Sequence, residues 1–390
     1  MSDQSPLLSI IIPTKNRYIY LESCLRSLLP SYNNKDVEII ITDNSTSKED
    51  ITSTLSLFSN IKYVFIAKPI SQVENFESAL EMATGQYVTM IGDDDGLSGI
   101  LLDVVKYMVK NFIDALNSPF ATYYWPDVVS KSRVNDFSGK MFFDSYSYTI
   151  SDVKAASEIQ KCLNLGGTSL CNLPRMYYGI IKKEVLELVK KQAGVYFPGP
   201  SPDMANAFSA ALFTNRFVYF DAPLFIAGNS AKSAAGMGLS GKHIGAIEGN
   251  PQLPEDCHLN WTPLIPKYWS GPTIWAESVM QVLKNCKKAN LESLFNFSRL
   301  YASCETFNPE YKEEINTAIN TYKKSRNTNG LFLRIGIEKL KVWSLRFKSL
   351  YKNMLKKAQT NSDSKFEGIN TIEESVEILR KFEVKLKSMI

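Results

Sequence analysis

No stretch of this 390-residue chain approaches the ~20 consecutive apolar residues that cross a bilayer, so a transmembrane helix is not expected. The apolar run near the N-terminus, Leu7 to Ile12, is too short for a signal-peptide core and lacks its flanks, which points to the cytoplasm. Cysteine is sparse and scattered: Cys24, Cys162, Cys171, Cys257, Cys286 and Cys304 form no C-x-x-C, and no Cys/His pair has zinc-ligand spacing. That argues against a zinc site and for buried, reduced thiols in a cytosolic protein. The net charge of +4 is too small to imply nucleic-acid binding. What the chain does have is length and core-building composition. At one domain per ~150 residues it should form roughly two or three units. Its 44% apolar fraction suits a globular protein that needs no staples.

Apolar, β-branched runs at 7–12, 37–42, 61–66 and 87–91 read as buried strands. Between them, helical spacing predicts helices over 18–29, about 48–58, and 72–83. Strands alternating with helices predict an α/β fold with a mostly parallel sheet covered on both faces. Ligands in such sheets sit at the carboxyl ends of the strands. Thr14, Lys15, Asn16, Arg17, Asp43, Asn44 and Asp93 to Asp95 all follow strands, so they should converge on one edge.

Beyond 100 the order is less regular. A helix over 100–116, strands over 120–125, 140–144, 175–182 and 216–220, and helices over 183–192 and 203–213 are expected. The Gly/Ser/Ala stretch 227–249 reads as a hinged loop, and the chain after about 260 as helical to its end. This divides the chain into 1–250 and a helical region, 251–390. Aromatics concentrated at 120–148 and 177–178 are read mainly as core.

The run Asp93-Asp94-Asp95 carries the most chemistry. Three adjacent carboxylates repel one another unless a cation is present. Mn²⁺ or Mg²⁺ takes one or two carboxylates plus phosphate oxygens and neutralises charge on a diphosphate leaving group. Alone, the run fits a solvated acidic turn equally well. Its position after a strand, beside two other polar strand ends, favours a functional site.

Four ordered stretches carry a resemblance: Ser9-Ile-Ile-Ile-Pro-Thr-Lys-Asn-Arg17, Leu21 to Leu29, Glu38-Ile-Ile-Ile-Thr-Asp-Asn-Ser45 and Gly85-Gln-Tyr-Val-Thr-Met-Ile-Gly-Asp-Asp-Asp95. Together they resemble family 2 glycosyltransferases of the GT-A fold, strongly over 7–110, in part over 170–235, and not after about 260. The resemblance implies an inverting enzyme that uses a nucleotide-sugar donor, most often a UDP-sugar. It implies that Pro13 and Thr14, with Asn16 and Arg17 in the same motif, border the nucleotide, and that Asp43 binds the base through a ring N–H. It implies that Asp93 lies beside the nucleotide and that Asp94, with Asp95 next, binds the metal. One departure stands out: many members read D-x-D-D, and here Gly92 holds the first acidic position.

Inverting transfer also needs a base on the acceptor hydroxyl. By the same resemblance it lies at the start of a later helix, and Asp203 in Pro200-Ser-Pro-Asp-Met matches; Pro202 stands where the family usually has a first acid. A capping role for Asp203 competes with this. Lys232, Lys242 and His243 in the glycine-rich stretch are candidates for closing over a diphosphate. Arg175 could reach donor or acceptor.

Apolar residues at 333, 337, 340, 347, 351 and 354 follow helical spacing, with Arg334, Lys341, Lys348, Lys352 and Lys356 favouring another face. This suits peripheral contact with the inner face of the cell membrane, or packing on the protein or a second subunit. The amphipathic stretch 371–389 could mediate self-association. The expected acceptor is a glycan or polyprenol-linked glycan of a bacterial surface polysaccharide. A non-catalytic binding protein on the same fold is the alternative.

Overall fold

The computed structural model describes residues 5–128, 137–233, 244–250, 252–326, 330–358 and 365–387. The first half alternates β1 (Leu8–Thr14), α1 (Tyr18–Tyr32), β2 (Val37–Asp43), α2 (Thr52–Leu55), β3 (Ile61–Phe65), α3 (Gln72–Met82) and β4 (Tyr87–Met90). There follow β5 (Gly96–Leu97), α4 (Leu101–Lys110), β6 (Ala115–Asn117), β7 (Phe120–Tyr124), β8 (Lys140–Phe142), β9 (Ile150–Val153), α5 (Ala155–Asn164), β10 (Gly179–Lys182), α6 (Lys183–Ala193), α7 (Pro202–Ala211), β11 (Phe217–Phe220) and β12 (Phe225–Asn229). The last part holds α8 (Gly271–Asn285), α9 (Phe297–Phe307), α10 (Lys312–Ser325), α11 (Leu331–Ala358), β13 (Lys365–Glu367) and α12 (Ile372–Lys387).

The α/β architecture with a helical C-terminal region is as expected. The central sheet has the order β3-β2-β1-β4-β10-β6-β11-β9. Its first four strands are parallel, while β10 is antiparallel to both neighbours. Strands β1 and β2 are apolar without a break because both faces are covered. Ile10, Ile12, Ile39 and Ile41 enter one core, and Ile11 and Ile40 the other.

Four expectations need correction. The stretch 100–116 is not one helix: α4 ends at Lys110 and β6 follows, its residues buried between β10 and β11. The loop expected from 227 begins inside a strand. Residues 225–229 pair with β5 and β7 in a second sheet, β13-β8-β7-β12-β5, whose β13 also interrupts the expected run of helices. In the stretch expected to self-associate, 371–389, Ile372, Val376 and Leu379 are not free to do so, because they are buried in the core that holds Ile10 and Leu21; residues 388 and 389 lie outside the described residues. Buried residues on the two sides of position 250 also pack together: Ala276, Val279 and Tyr301 share a cluster with Ile11.

Candidate active site

Strands β1 and β2 end in register at Thr14 and Asp43, and β4 ends beside them, so the following turn carries Asp93 to Asp95 onto the same edge. The three carboxylates then diverge. Asp93 accepts from Thr14 Oγ1 at 2.5 Å and pairs with Arg17 Nη1 at 3.1 Å. Asp94 pairs with Arg17 Nη2 at 2.5 Å and accepts from Ser230 Oγ at 2.6 Å. Asp95 turns inward, accepting from the amides of Gly92 (2.6 Å) and Gly228 (2.8 Å) and the hydroxyls of Tyr178 (2.8 Å) and Tyr177 (3.2 Å).

Burial pushes the Asp93 carboxyl up, with Arg17 and Thr14 opposing and Asp94 adding to it. Burial likewise raises Asp95, and Asp94 adds to that. Burial alone would lower Arg17; Asp93, Asp94 and Asp95 together raise it instead, so it stays a fixed cation.

Two glycines allow this packing. A Cβ on Gly228 would collide with the Asp94 carbonyl, so only glycine lets β12 cross the acidic turn that closely. A Cβ on Gly92 would lie 3.0 Å from Asp95 Oδ2 and Tyr177 Oη and 3.1 Å from Asp94 Oδ1. A side chain at position 92 would crowd the carboxylates of Asp94 and Asp95 and the Tyr177 hydroxyl.

The turn opens onto a cleft of about 570 Å³, lined among others by Thr14, Arg17, Asn75, Asp94, Asp203 and Lys232. Asp203 is also on the wall of an adjoining apolar chamber of about 240 Å³ between Phe76, Met90, Phe120, Tyr178 and Phe197. It sits in the first turn of α7, after Pro202 and the N-cap Ser201, whose side chain makes no cap hydrogen bond. Its carboxylate is accessible within the cleft and accepts no hydrogen bond from the described residues. The surrounding protein raises its pKa, and the nearby Arg175 guanidinium partly opposes that.

Residues 9–142 match the sequence model of glycosyl transferase family 2. This segment belongs to that family. The chain is also 36% identical over 143 residues to a GalNAc(5)-diNAcBac-PP-undecaprenol beta-1,3-glucosyltransferase of Campylobacter jejuni, a stretch covering 35% of this chain and 43% of the relative. It is 30% identical over 120 residues to an uncharacterized glycosyltransferase of Haemophilus influenzae, covering 30% and 48%. The chain spans less than half the length of the curated relatives it matches. Among solved structures, S. aureus TarS 1-349 in complex with UDP-GlcNAc aligns with 84% of this chain and 76% of that one, at 14% identity and a TM-score of 0.45.

Within and around the family 2 segment, Pro13, Thr14, Arg17, Asp93, Asp94, Asp203 and Lys232 all line the cleft. Three expected residues do not. Asp43 is fully buried; its oxygens accept from Tyr18 (2.5 Å), Tyr63 (2.7 Å) and the Ser45 amide (2.9 Å), which leaves none turned to a ligand. Asn16, at φ 59, accepts from Thr46 at its Oδ1 and donates its backbone amide to Ser45 Oγ, tying two loops together. Asp95 is saturated by four donors. Lys242 and His243 lie outside the described residues.

Two groups were missed. Ser230, ligand to Asp94, follows a strand whose glycine-rich surroundings read as loop. Asn75 lines the cleft from α3 with its Oδ1 buried and without a hydrogen-bond partner; it gave no signal within an ordinary amphipathic helix. For a divalent ion, Asp94 Oδ1 is the oxygen left without a partner among the described residues, whereas Asp93 Oδ1 is buried and already charge-paired with Arg17 Nη1 at 3.1 Å. No group of three or more His, Cys, Asp or Glu that could hold a metal occurs among those residues. An ion held at Asp94 would take most of its shell from phosphate oxygens.

Proposed function

We propose that the chain is an inverting glycosyltransferase, moving a sugar from a nucleotide diphosphate sugar to a hydroxyl of a glycan or polyprenol-linked glycan. One observation carries this reading: a single cleft joins the Asp93–Asp94–Arg17 cluster to the unpartnered carboxylate of Asp203. The first is suited to a diphosphate and the second to a proton. The family 2 segment supports the reaction class. The Campylobacter relative, whose name specifies a PP-undecaprenol-linked glycan, supports the acceptor class.

In this reading Thr14 and Arg17 border the diphosphate, and Arg17 and Lys232 supply positive charge as it departs. Asp94, with Asp93, would hold Mn²⁺ or Mg²⁺, which when bound supplies further neutralisation of the leaving group. Asp203 takes the proton of the acceptor hydroxyl as that oxygen attacks the anomeric carbon from the opposite side. Its environment keeps it basic enough for the task. Phe76, Phe120 and Tyr178 exclude water around the reacting sugar. With a UDP-sugar donor, Asn75, whose Oδ1 lacks a hydrogen-bond partner, would meet the uracil ring N–H; Asp43 acts indirectly, by accepting from Tyr18 and Tyr63.

The test is a screen of nucleotide sugars for thermal stabilisation with and without Mn²⁺ or Mg²⁺. It is followed by assay of nucleoside diphosphate release with an acceptor. Stabilisation by a UDP-sugar, strengthened by the metal, is expected; binding without release by any combination would favour a non-catalytic carrier.

A further inference from the structure

Helix α11 is amphipathic twice over. At about 100° per residue, Leu331, Ile335, Glu338 and Val342 share one side and are buried against α9. The opposite side carries Phe332, Leu333, Ile337, Leu340, Trp343 and Phe347. Leu340 is 72% exposed, Leu333 71%, and Phe332 and Phe347 64% each. A helix packed on a protein body ordinarily shows water a polar outer face, and a contiguous apolar patch on a surface marks an interaction site.

The charges decide what covers it. Lys339 and Arg346 flank the stripe on one side, and Arg334, Lys341 and Lys348 on the other. The one acidic residue between 331 and 358, Glu338, is bound by Arg299 at 3.4 Å and by the flanking Lys341 at 2.7 Å, and Lys339 pairs with Glu305 at 2.6 Å, which leaves Arg334, Arg346 and Lys348 as flanking cations with no acidic partner among the described residues. A second copy of the chain laid on this stripe would bring like-charged flanks together. An anionic surface meets both flanks favourably, and Trp343 with Phe347, ring centroids 6.1 Å apart, suits the headgroup boundary.

We propose that α11 lies flat on an anionic bilayer, with Leu333, Leu340 and Phe347 dipping below the headgroups and the flanking Arg334, Arg346 and Lys348 paired with lipid phosphates. No described helix is long and apolar enough to cross the membrane, so the contact is one of surface insertion. This inference stands apart from the catalytic reading, since it concerns binding in the absence of any donor.

The test uses the full chain with phosphatidylcholine vesicles, with and without phosphatidylglycerol. Co-sedimentation is expected with the anionic vesicles, together with a blue shift of tryptophan emission that Trp343→Phe removes. The double variant Leu333→Glu, Leu340→Glu should lose binding with an unchanged melting temperature, since both side chains are exposed. Arg334→Gln and Lys348→Gln should each weaken binding roughly five-fold, the equivalent of about 1 kcal/mol. The proposal is overturned if anionic vesicles are not bound or if the double variant binds them as well as the parent. It is equally overturned if the stripe substitutions instead dissolve a dimer formed without vesicles.

Discussion

The Arg17 guanidinium lies 2.5 Å from the Asp94 carboxylate and 3.1 Å from that of Asp93, so one built-in cation bridges two buried anions at the centre of the cleft. Removing it should strand both charges. Arg17→Met is expected to cost about 3–5 kcal/mol of stability. Millimolar Mn²⁺ or Mg²⁺ should return more of that loss in the variant than it adds to the parent protein. Thermal melts with divalent ions and with chelator check both points; an unchanged melting temperature in Arg17→Met would show that the bridge contributes nothing.

Asp94 and Asp95 should separate by phenotype. Asp94 faces the cleft, so Asp94→Ala should abolish transfer while leaving a cooperative fold. Asp95 satisfies two amides and two tyrosine hydroxyls. Asp95→Ala should therefore lower stability by about 2–3 kcal/mol, because buried donors lose their acceptor. Denaturant melts of both variants give the comparison.

Gly228 meets the Asp94 carbonyl too closely for any side chain, so Gly228→Ala should either fail to fold or displace the acidic turn, with a loss of about 3 kcal/mol or more. Gly336→Ala is the control: nothing lies within 4 Å of its Cβ position, it sits inside α11, and the change should stabilise by up to ~1 kcal/mol.

The pH dependence follows from Asp203. Desolvation by the cleft walls raises its pKa above the ordinary 3.8, and only the ionised form accepts a proton. The kcat/KM should therefore fall as pH drops through that raised value, placing the acid limb above 3.8. Arg175 opposes the shift. Arg175→Met should move the limb to still higher pH; a limb that stays put or moves down would contradict the pairing of these two groups.

Much of the first half was legible because strands buried on both faces read as unbroken apolar runs, and their polar ends mark one edge of the sheet. The acidic turn was legible for the same reason. What escaped depends on partners far along the chain. The inward turn of Asp95 depends on Gly228, Tyr177 and Tyr178. The Asp94–Ser230 contact spans 136 positions. Asp43 looked like a free strand-end acid because nothing local announces that Tyr18 and Tyr63 converge on it. On α11 the periodicity picked out an apolar face, yet the side that packs on α9 is the other one, built from Leu331, Ile335 and Val342. Two stripes on one helix cannot be ranked without knowing its neighbour.

The most direct test of the central claim compares the parent protein with Asp203→Asn, using the nucleotide sugar that stabilises it and a hydroxyl acceptor. Nucleoside diphosphate release is followed alongside donor binding. The account predicts that Asp203→Asn binds the donor as tightly as the parent but releases nucleoside diphosphate about 10²–10⁴-fold more slowly. Release at the parent rate by Asp203→Asn would contradict it.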